Sequence, residues 1–504
     1  MARGRRQNTL HCPPPHTLTD ETIDYKVLLT SFELTQNMDA WPRQRIIHAC
    51  LRNAIVGGSL ACGTRLLASR ALAGELGNTR NTVLYAYDQL ATEGLILATS
   101  RGTVVAPLAL PRGRDGAGSP ARRMQAVCAL PAADPVAGAF APGVPALASF
   151  PVAWWRRTLE RTWRSAGEHE LNYADVAGVP ALREEISNHL GASRGVRCDA
   201  SQVFVTSGTQ SSLAICAAAF ADSGATAWIE NPGYVGALAA FRAAQLRTIG
   251  IPVDAGGIHP TAQDWQQNKP KLIYTTPSRQ YPTGTVLDMP RRLALIANAK
   301  AAGALIIEDD YDSEFRYEGA PLPAMQGLAA QAPVIYLGTF SKTMFPAIRT
   351  GFMVVPASLA APLRCVLTHM APHGRVADQM ALAEFLRTGQ FGVHLRRMRR
   401  LYLARRVVLL AALERHARGA VSVHGSSAGI HLSLRFTDPA LVDVDVAAAA
   451  LAQGVVARAL SAHGTGLRQH GWNGLLLGYS QVDEADIEEK VKTLAQVMRA
   501  TRRR

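Results

Sequence analysis

The sequence lacks two features that would mark a secreted or membrane-bound protein. No apolar run approaches the length of a membrane span, and the basic N-terminus "MARGRRQNTLHCPPP" has no apolar segment of the kind found in secretory signals. We therefore expect a cytoplasmic protein that does not enter a membrane.

Cysteine is also scarce. The 7 cysteines are scattered along the chain, and none stands in a CxxC pair. This spacing favours neither a zinc site nor a disulfide framework, and we expect no metal site.

Acidic residues are fewer than basic ones. The chain has 39 Asp and Glu against 53 Lys and Arg, which gives a formal net charge of +14. A basic balance favours an acidic partner such as nucleic acid. With 504 residues, of which 48% are hydrophobic, the chain is long enough for more than one globular domain.

The sequence pattern divides the chain into four regions. Residues 1–40 show no strong period and contain "CPPP", which indicates an extended or loosely docked arm. Residues 41–107 predict three helices and a β-ribbon, and residues 108–137, rich in Pro, Gly, Ala and Arg, are interpreted as a linker. Residues 138–504 alternate apolar strand-like runs with helical stretches. That alternation predicts an α/β domain with a mostly parallel central sheet.

Residues 41–107 have the layout of a winged helix-turn-helix. In the first predicted helix, Ile47, Leu51, Ala54 and Ile55 share one face. The second fits "SRALAGELG", with Ser69 as its N-cap, and the third fits "TRNTVLYAYDQLATEG". Two short strands in "LILATSRGTVVA" complete the ribbon.

This region carries seven arginines and three acids, which suits contact with DNA. Early in the third helix, Arg80 could reach a guanine edge or a phosphate, and Asn81 could pair with adenine. The residues predicted to contact DNA are Arg65, Ser69, Arg70, Thr79, Arg80, Asn81, Thr82 and Arg101. The alternative is a small helical dimerisation module with ordinary surface arginines.

The stretch "GTRLLASRALAGELGNTRNTVLYAYDQLATEGLI", followed by "SRGTVVA", resembles the GntR-type winged helix. The family pattern has a proline where Leu67 stands, and a wing tip richer in glycine. The resemblance implies binding to double-stranded operator DNA.

In the larger region, "TFSKTMFPAIRTGF" contains a lysine, Lys342, among hydroxyls and apolar residues. A desolvated amine has a lowered pKa and attacks aldehydes. Ser341 and Arg349 would suit a phosphate. An aldehyde together with a phosphate suggests pyridoxal phosphate (PLP).

Other segments at predicted strand ends fit the same ligand. "TSGTQSSL" follows a strand and opens a helix, so Gly208, Thr209 and Gln210 would meet a phosphate at the helix N-terminus. "ENPGY" presents Tyr234, whose ring could stack on a flat heterocycle.

"IEDDYDSEF" follows an apolar strand, and its first acids therefore lie at the carboxyl end of the sheet. Asp309 could keep the pyridine nitrogen protonated, and Tyr311 could bond the phenolic oxygen of the ring. Taken alone, each of these segments is also typical of an ordinary helix start, solvated loop, core tyrosine or surface lysine. Their joint occurrence in this order favours a cofactor site.

Together these residues resemble the fold-type-I aminotransferases, which bind PLP. A GntR winged helix fused to such a domain resembles the MocR subfamily of bacterial transcription regulators. The resemblance implies that Lys342 is the Schiff-base lysine and that Tyr173, in "LNYADVAG", reaches the phosphate of a partner subunit. It thus implies a homodimer, head-to-tail. The cofactor-binding residues it implies are Gly208, Thr209, Gln210, Tyr234, Tyr281, Asp309, Tyr311, Ser341, Lys342, Arg349 and Tyr173.

Two positions depart from the active aminotransferases that the region resembles. Tyr281 stands where they carry an asparagine before Pro-Thr-Gly, and Leu476, in "NGLLLGY", stands where they carry the arginine that grips the substrate carboxylate. In the member of the MocR subfamily that senses γ-aminobutyrate, an arginine stands at the position of Gly236. The resemblance therefore does not favour γ-aminobutyrate as the effector. Arg435 and Arg458 could contact an anion in place of the arginine that is absent at position 476.

The function expected from the sequence is a PLP-dependent, DNA-binding transcription regulator. It would sense an amine or amino-acid effector, or PLP itself, through an aldimine on Lys342. The alternative is a PLP-dependent aminotransferase with an accessory DNA-binding domain. A cofactor-free structural dimer is a further alternative, against which the retained Lys342 argues.

Overall fold

The computed structural model describes residues 23–35, 40–107, 120–131, 138–319, 322–329, 331–370, 375–465 and 471–502. These residues form two compact units, one on each side of the 108–119 segment. No helix in the described part of the chain is long and apolar enough to cross a membrane.

The smaller unit consists of four helices and a hairpin. Its elements are α1 (Tyr25–Thr35), α2 (Arg43–Val56), α3 (Ser69–Glu75), α4 (Arg80–Thr92), β1 (Ile96–Thr99) and β2 (Gly102–Val105). The predicted apolar face of α2 is buried and packs against Leu72 of α3 and Val83 of α4. β1 and β2 are antiparallel, with Ile96 opposite Val105. The three helices and ribbon predicted for this region are therefore present.

Two local expectations differ from the structure. The segment 1–40 was expected to be an extended or loosely docked arm, but Tyr25–Thr35 form α1, because buried Tyr25 and Leu29 pack against the other helices. The Tyr25 backbone N–H also donates to Glu75 at 3.0 Å. Ser69 is the first residue of α3 rather than its cap, since Ala68 occupies the N-cap position. Residues 1–22 and 36–39 of the expected arm lie outside the described residues.

The larger unit begins within the predicted linker, where Arg122–Cys128 form α5. Apart from α5, only residues 120–121 and 129–131 of the predicted linker are among the described residues. The other helices of this unit are α6 (Val152–Arg164), α7 (Glu168–Leu171), α8 (Pro180–Arg194), α9 (Thr209–Phe220), α10 (Val235–Ala243), α11 (Ala262–Gln267), α12 (Met289–Ala302), α13 (Met325–Leu328), α14 (Ala357–Met370), α15 (Val376–Arg387), α16 (Gln390–His416), α17 (Asp443–Ala452) and α18 (Glu484–Thr501).

Two sheets organise the larger unit. The strands are β3 (Val203–Thr206), β4 (Thr226–Asn231), β5 (Arg247–Asp254), β6 (Gly257–Ile258), β7 (Leu272–Thr275), β8 (Leu305–Asp310), β9 (Val334–Thr339), β10 (Gly351–Val354), β11 (Val421–His424), β12 (His431–Phe436), β13 (Arg458–Ala459) and β14 (Gly474–Gly478). The large sheet has the order β3-β10-β9-β8-β7-β4-β5-β6, and the small one β11-β12-β14-β13.

The large sheet is mostly parallel. β5, β4, β7, β8 and β9 pair in parallel, whereas β10 runs antiparallel to β9 and β3. The central strands β4 and β7 are buried along their whole length, as expected for a parallel sheet covered on both faces. Because Thr339 pairs with Gly351, the loop between β9 and β10 lies at the carboxyl edge of the parallel strands. That edge is where open α/β sheets bind ligands.

The small sheet is antiparallel, with Ser433 opposite Leu476 and Leu476 opposite Arg458. Leu475 and Leu477 belong to the main hydrophobic core, whereas Leu476 does not. Since successive side chains alternate between faces, Leu476 and its partner Arg458 face away from that core.

Candidate cofactor and DNA-binding sites

A cavity of about 300 Å³ lies at the carboxyl edge of the large sheet. Every residue predicted to bind the cofactor lines it, except Tyr173. The walls are formed by Pro142, Gly143, Gly208, Thr209, Gln210, Tyr234, Tyr274, Tyr281, Asp309, Tyr311, Thr339, Ser341, Lys342, Pro346, Arg349, Ile430, His431 and Arg458.

Lys342 extends into this cavity from the loop that follows β9. Its Nζ donates to the Gly143 carbonyl at 2.7 Å. A Cβ at Gly143 would lie 3.0 Å from Nζ, and Gly143 has a φ of +81°, so this close approach requires glycine. Burial lowers the pKa of the Lys342 amine, and the charges of Asp312 and Asp309 oppose that shift. A lowered pKa increases the neutral fraction of the amine, which is the form that attacks an aldehyde.

Asp309, near the end of β8, has one carboxylate oxygen occupied and one without a partner. Oδ2 accepts a hydrogen bond from the Tyr274 hydroxyl at 2.7 Å, whereas Oδ1 is buried and has no partner among the described residues. Burial raises the pKa of Asp309 to about 7, despite the Tyr274 hydrogen bond, which lowers it. A buried acceptor without a donor is costly. A protonated pyridine nitrogen would satisfy it, so Asp309 fits the ring end of PLP.

Other residues that line the cavity suit the phosphate end of the cofactor. α9 begins at Thr209, after Gly208 with a φ of +98°, and thus presents a helix N-terminus to the cavity. The exposed Arg349 lines the same cavity, and within the described residues its guanidinium makes no hydrogen bond or ion pair. Ser341 lies on the wall as well. A cation, a hydroxyl and a helix N-terminus together suit a phosphate.

Tyr234 has little freedom to move. Its hydroxyl donates to Gln210 Oε1 at 3.4 Å, and Gln210 Nε2 in turn donates to the Gly236 carbonyl at 2.8 Å. A Cβ at Gly236 would lie 2.4 Å from the Tyr234 ring. Gly236 thus allows the ring to pack against the start of α10, and the pocket has no space for a side chain there.

A buried network behind Tyr311 was not predicted. Arg279 pairs with Asp312 at 3.0 Å and donates to the Tyr311 hydroxyl at 3.3 Å and to His431 Nε2 at 2.7 Å. The rings of Tyr311 and His431 are stacked, with centroids 6.2 Å apart. Burial, together with the Arg279 charge, holds the pKa of His431 well below its ordinary value, so His431 is neutral and accepts the hydrogen bond. The network fixes Tyr311 at the cavity wall.

The cavity residues that sequence reasoning missed came from apolar or unremarkable stretches. Tyr274 lies in the apolar run of β7, directly beside β8, and its strand position was its only signal. Gly143 and His431 come from segments far away in sequence, and their positions depend on the tertiary fold.

Both departures from the aminotransferase pattern face the cavity side of the molecule. The Tyr281 ring lines the cavity and makes edge contacts with the rings of Tyr234 and Tyr311, at 5.9 and 5.8 Å between centroids. Leu476 is fully buried on β14, next to Arg458. Of the two alternative anion contacts, Arg458 lines the cavity, whereas Arg435 is exposed and lies 5.5 Å over the Trp472 ring.

Tyr173 lies apart from this cavity. It is 96% exposed and lines a separate depression of about 520 Å³ between α6, α7 and the start of α15. Trp163 and Leu171, also exposed, line the same depression.

In the smaller unit, the start of α4 is exposed at Arg80 and Asn81. Thr79 caps this helix, because its hydroxyl accepts from the Thr82 backbone N–H at 3.3 Å and its Oγ1 lies 2.8 Å from that of Thr82. The two threonine hydroxyls are thus engaged in the helix cap. Tyr85, one turn after Asn81 and 45% exposed, extends the same surface and was not predicted.

The remaining predicted DNA contacts surround this helix. Arg70 is exposed on α3 and Ser69 half-buried; Arg65 is exposed and bridges to Val104 of the wing. Arg101 is exposed at the tip of the hairpin. The arrangement presents a basic surface of the kind that contacts phosphates and base edges.

Comparison with known proteins finds two family matches. Residues 143–491 match the family "Aminotransferase class I and II", and residues 43–105 match "Bacterial regulatory proteins, gntR family". These matches confirm the predicted fold class.

The chain also matches two transcription regulators over most of their length. The chain is 39% identical over 463 residues to the probable rhizopine catabolism regulatory protein MocR of Rhizobium meliloti, covering 90% of this chain and 93% of that protein. It is 33% identical to the pyridoxine biosynthesis transcriptional regulator PdxR of Corynebacterium glutamicum, covering 86% and 91%. Among solved structures, LysN, an α-aminoadipate aminotransferase of Thermus thermophilus complexed with N-(5'-phosphopyridoxyl)-L-leucine, matches with a TM-score of 0.66 and 27% identity over 76% of this chain and 95% of that one.

Proposed function

The chain belongs to the MocR-type transcription regulators, in which a GntR DNA-binding domain is joined to an aminotransferase-like domain that binds PLP, and we propose that it senses an amine or amino-acid effector at that cofactor. When bound, PLP supplies an aldehyde that combines with amines and a ring that withdraws electrons. Lys342 would hold the cofactor through its amine, Asp309 would hold the ring nitrogen, and Thr209, Ser341 and Arg349 would hold the phosphate.

One observation carries the proposal: groups suited to hold the cofactor are present, whereas the positions that would hold a substrate for turnover are changed. Lys342 and the unpartnered Asp309 oxygen remain, whereas Tyr281 and Leu476 occupy the asparagine and arginine positions. Proton transfer needs a substrate held in one orientation, and Leu476 supplies no guanidinium at the position where active aminotransferases fix the substrate carboxylate. Capture of an amine without rapid turnover is what a sensor requires.

PLP itself is the other candidate effector for the same site. The buried Asp309 Oδ1 supports it, since cofactor binding would satisfy an oxygen that is otherwise unpartnered in the described structure. A ligand shifts a regulator between states only through different affinities for those states. PLP would act in this way if the free and loaded proteins bound the operator differently.

A visible absorbance titration of the PLP-loaded protein with amino acids and amines tests the proposal. We expect some amines to change the absorption band of the cofactor and, at the same concentrations, the affinity for operator DNA. An amine that changes the band without any effect on operator binding would count against sensing. If only the addition of PLP to the free protein changes operator binding, PLP is the effector.

The alternative function, an aminotransferase, is favoured by Lys342, Asp309 and the likeness to LysN. The same titration distinguishes it. Conversion of the cofactor to its amine form, reversed by a keto acid, would mean that turnover survives.

For DNA, we propose that the start of α4 enters the major groove, with Arg80 and Asn81 at base edges. Arg65, Arg70 and Arg101 would contact phosphates around it. Their exposure on one compact unit supports this arrangement. We assign residues 41–107 to the DNA-binding domain and 138–504 to the PLP domain, and a DNA-binding role is consistent with a cytoplasmic protein.

We also propose a head-to-tail homodimer in which Tyr173 reaches the phosphate in the partner subunit. Tyr173 is 96% exposed and lies beside exposed Trp163 and Leu171. Large apolar side chains exposed together are typical of a surface that contacts another protein, which supports a dimer interface here. Sedimentation of the full-length chain tests the oligomeric state.

A further inference from the structure

A second cavity, of about 630 Å³, adjoins the cofactor cavity. The two share the wall residues Gln210, Tyr234, Tyr281 and Arg458. A ligand attached at the cofactor could therefore extend past these residues into the second cavity, which we call the annex.

The annex is lined mainly by small and apolar side chains. They come from α10, α17 and the stretch around β13, with Val127 and Leu130 from the chain at and after α5. Among this apolar lining, Arg458 supplies a full positive charge at the boundary between the two cavities. Such a pocket, apolar with a few polar anchors, is typical of small-molecule sites.

The strand register explains how Arg458 comes to be there. Leu476 occupies the central position on β14, and Arg458 stands directly opposite it on the edge strand β13. Paired residues on adjacent antiparallel strands point to the same face, about 5 Å apart. The guanidinium therefore faces the same side as Leu476, displaced by one strand.

The charge of Arg458 also acts on other residues that line the cofactor cavity. Burial is the main cause of the lowered pKa of the Lys342 amine; Asp312 and Asp309 oppose it, and the Arg458 charge adds to it with a smaller effect. The same charge opposes the rise that burial causes in the pKa of Tyr281. Arg458 thus acts electrostatically on both the amine-binding position and the residue at the boundary.

We propose that Arg458 binds the acidic group of the effector, a carboxylate or a sulfonate, and that the annex holds the rest of its body. This rests on the proposed amine sensing and narrows the effector to amines that carry an anionic group. A guanidinium recognises either anion through paired N–H donors.

The test uses PLP-loaded, full-length protein and matched ligands. L-leucine, β-alanine and taurine carry an acid, and isoamylamine and ethylamine are their counterparts without one. We expect each acid-bearing amine to change the cofactor band at a concentration at least about tenfold lower than its counterpart, because a charge-assisted hydrogen bond is lost without the acid.

Arg458→Gln should abolish this difference, whereas Arg458→Lys should keep part of it. Arg435→Gln is the matched control, because Arg435 is an exposed arginine of the same sheet that lines neither cavity. An unchanged preference for acids in Arg458→Gln would overturn the proposal. So would loss of PLP itself in that variant, since Arg458 would then be a cofactor contact.

A second measurement separates this proposal from amine sensing. Isocaproate, the analogue of leucine without an amine, cannot combine with the cofactor but can still occupy Arg458 and the annex. We expect it to raise the melting temperature of the wild type and of Arg435→Gln, but not of Arg458→Gln.

If no amine changes the cofactor band yet isocaproate shows this pattern, amine sensing fails and the anion site stands. If isocaproate stabilises all three proteins equally or none, the anion site fails. A difference between the concentrations of β-alanine and taurine that change the cofactor band would show whether a carboxylate or a sulfonate is preferred.

Discussion

Replacing Asp309 with asparagine should change both the pH dependence of stability and the affinity for PLP. In the free protein the pKa of Asp309 is raised to about 7, mainly by burial. An unfolded aspartate has a pKa of about 3.9, so the native state holds a proton that the unfolded state has lost between these values. The contribution of Asp309 to stability is therefore full below about pH 4 and is lost as the pH rises through about 7.

The magnitude follows from the shift. Between about pH 5 and about pH 7 the native state binds about one more proton, which corresponds to a loss of roughly 2 to 3 kcal/mol in the free energy of unfolding. Asp309→Asn cannot titrate, and its side-chain oxygen can still accept from Tyr274, at 2.7 Å in the wild type. The variant should lose this part of the pH dependence, and its amide nitrogen would take the place of the buried oxygen that has no partner among the described residues.

PLP should reverse the effect in the wild type, because a protonated ring nitrogen stabilises the ionised carboxylate. The rise in stability on adding PLP should thus be larger at about pH 8 than at about pH 5. In Asp309→Asn the gain should be smaller at both values, with PLP bound roughly tenfold to a hundredfold more weakly, since a hydrogen bond to a charged group is worth about 1.5–3 kcal/mol.

The assay is urea unfolding with and without PLP at both pH values. Glu308→Gln is the matched control: burial also raises the pKa of Glu308 to about 7, but this carboxylate accepts from the backbone N–H groups of Met325 and Gln326 and does not line the cofactor cavity. In Glu308→Gln, the free energy of unfolding should depend less on pH than in the wild type, and PLP should stabilise this variant as much as it stabilises the wild type. An Asp309→Asn protein with wild-type pH dependence, or with undiminished stabilisation by PLP, would refute the reasoning.

Three further predictions concern other parts of the protein. Arg80→Ala should weaken operator binding by about 1–3 kcal/mol in a gel-shift titration and leave the PLP spectrum unchanged, whereas Arg52→Ala, on α2 and paired with Glu93, should bind like the wild type; equal losses in both would contradict the groove assignment. Lys342→Ala should give no borohydride-reducible PLP adduct, and the exposed Lys300→Ala should give a normal one; an adduct in the first variant would move the site elsewhere. Tyr173→Ala should bind PLP more weakly, and mixing it with Lys342→Ala should restore one intact site per dimer; no recovery in the mixture would contradict a shared site.

The sequence was most informative where one strand or helix carries the signal. The apolar runs around β7 and β8 predict buried parallel strands, and the acid that ends such a run must lie at the carboxyl edge. Asp309 and Lys342 could therefore be placed near each other from local patterns. The repeat of apolar residues along α2 likewise predicted its buried face.

The sequence was least informative where distant segments meet. His431 and Arg458 reach the cavity through the register of the small sheet, and a one-residue shift in pairing would turn both to the other face. Tyr25–Thr35 looked aperiodic because only Tyr25 and Leu29 of that helix are buried. A helix that buries so few side chains is stabilised by tertiary contacts rather than by a strong periodic pattern.

The position of α5 bears on how a ligand could influence DNA binding. A regulator needs a physical connection between the ligand and the chain leading to its DNA-binding domain, which an enzyme does not need. Val127 and Leu130, within the segment predicted to be a linker, line the annex beside Arg458. Leu130 also packs against the core that contains α9 and α10, the helices behind Gln210 and Tyr234. A ligand in the annex would thus contact the stretch of sequence that connects the two domains, and it would shift a regulatory equilibrium only as far as its affinity differs between the two states.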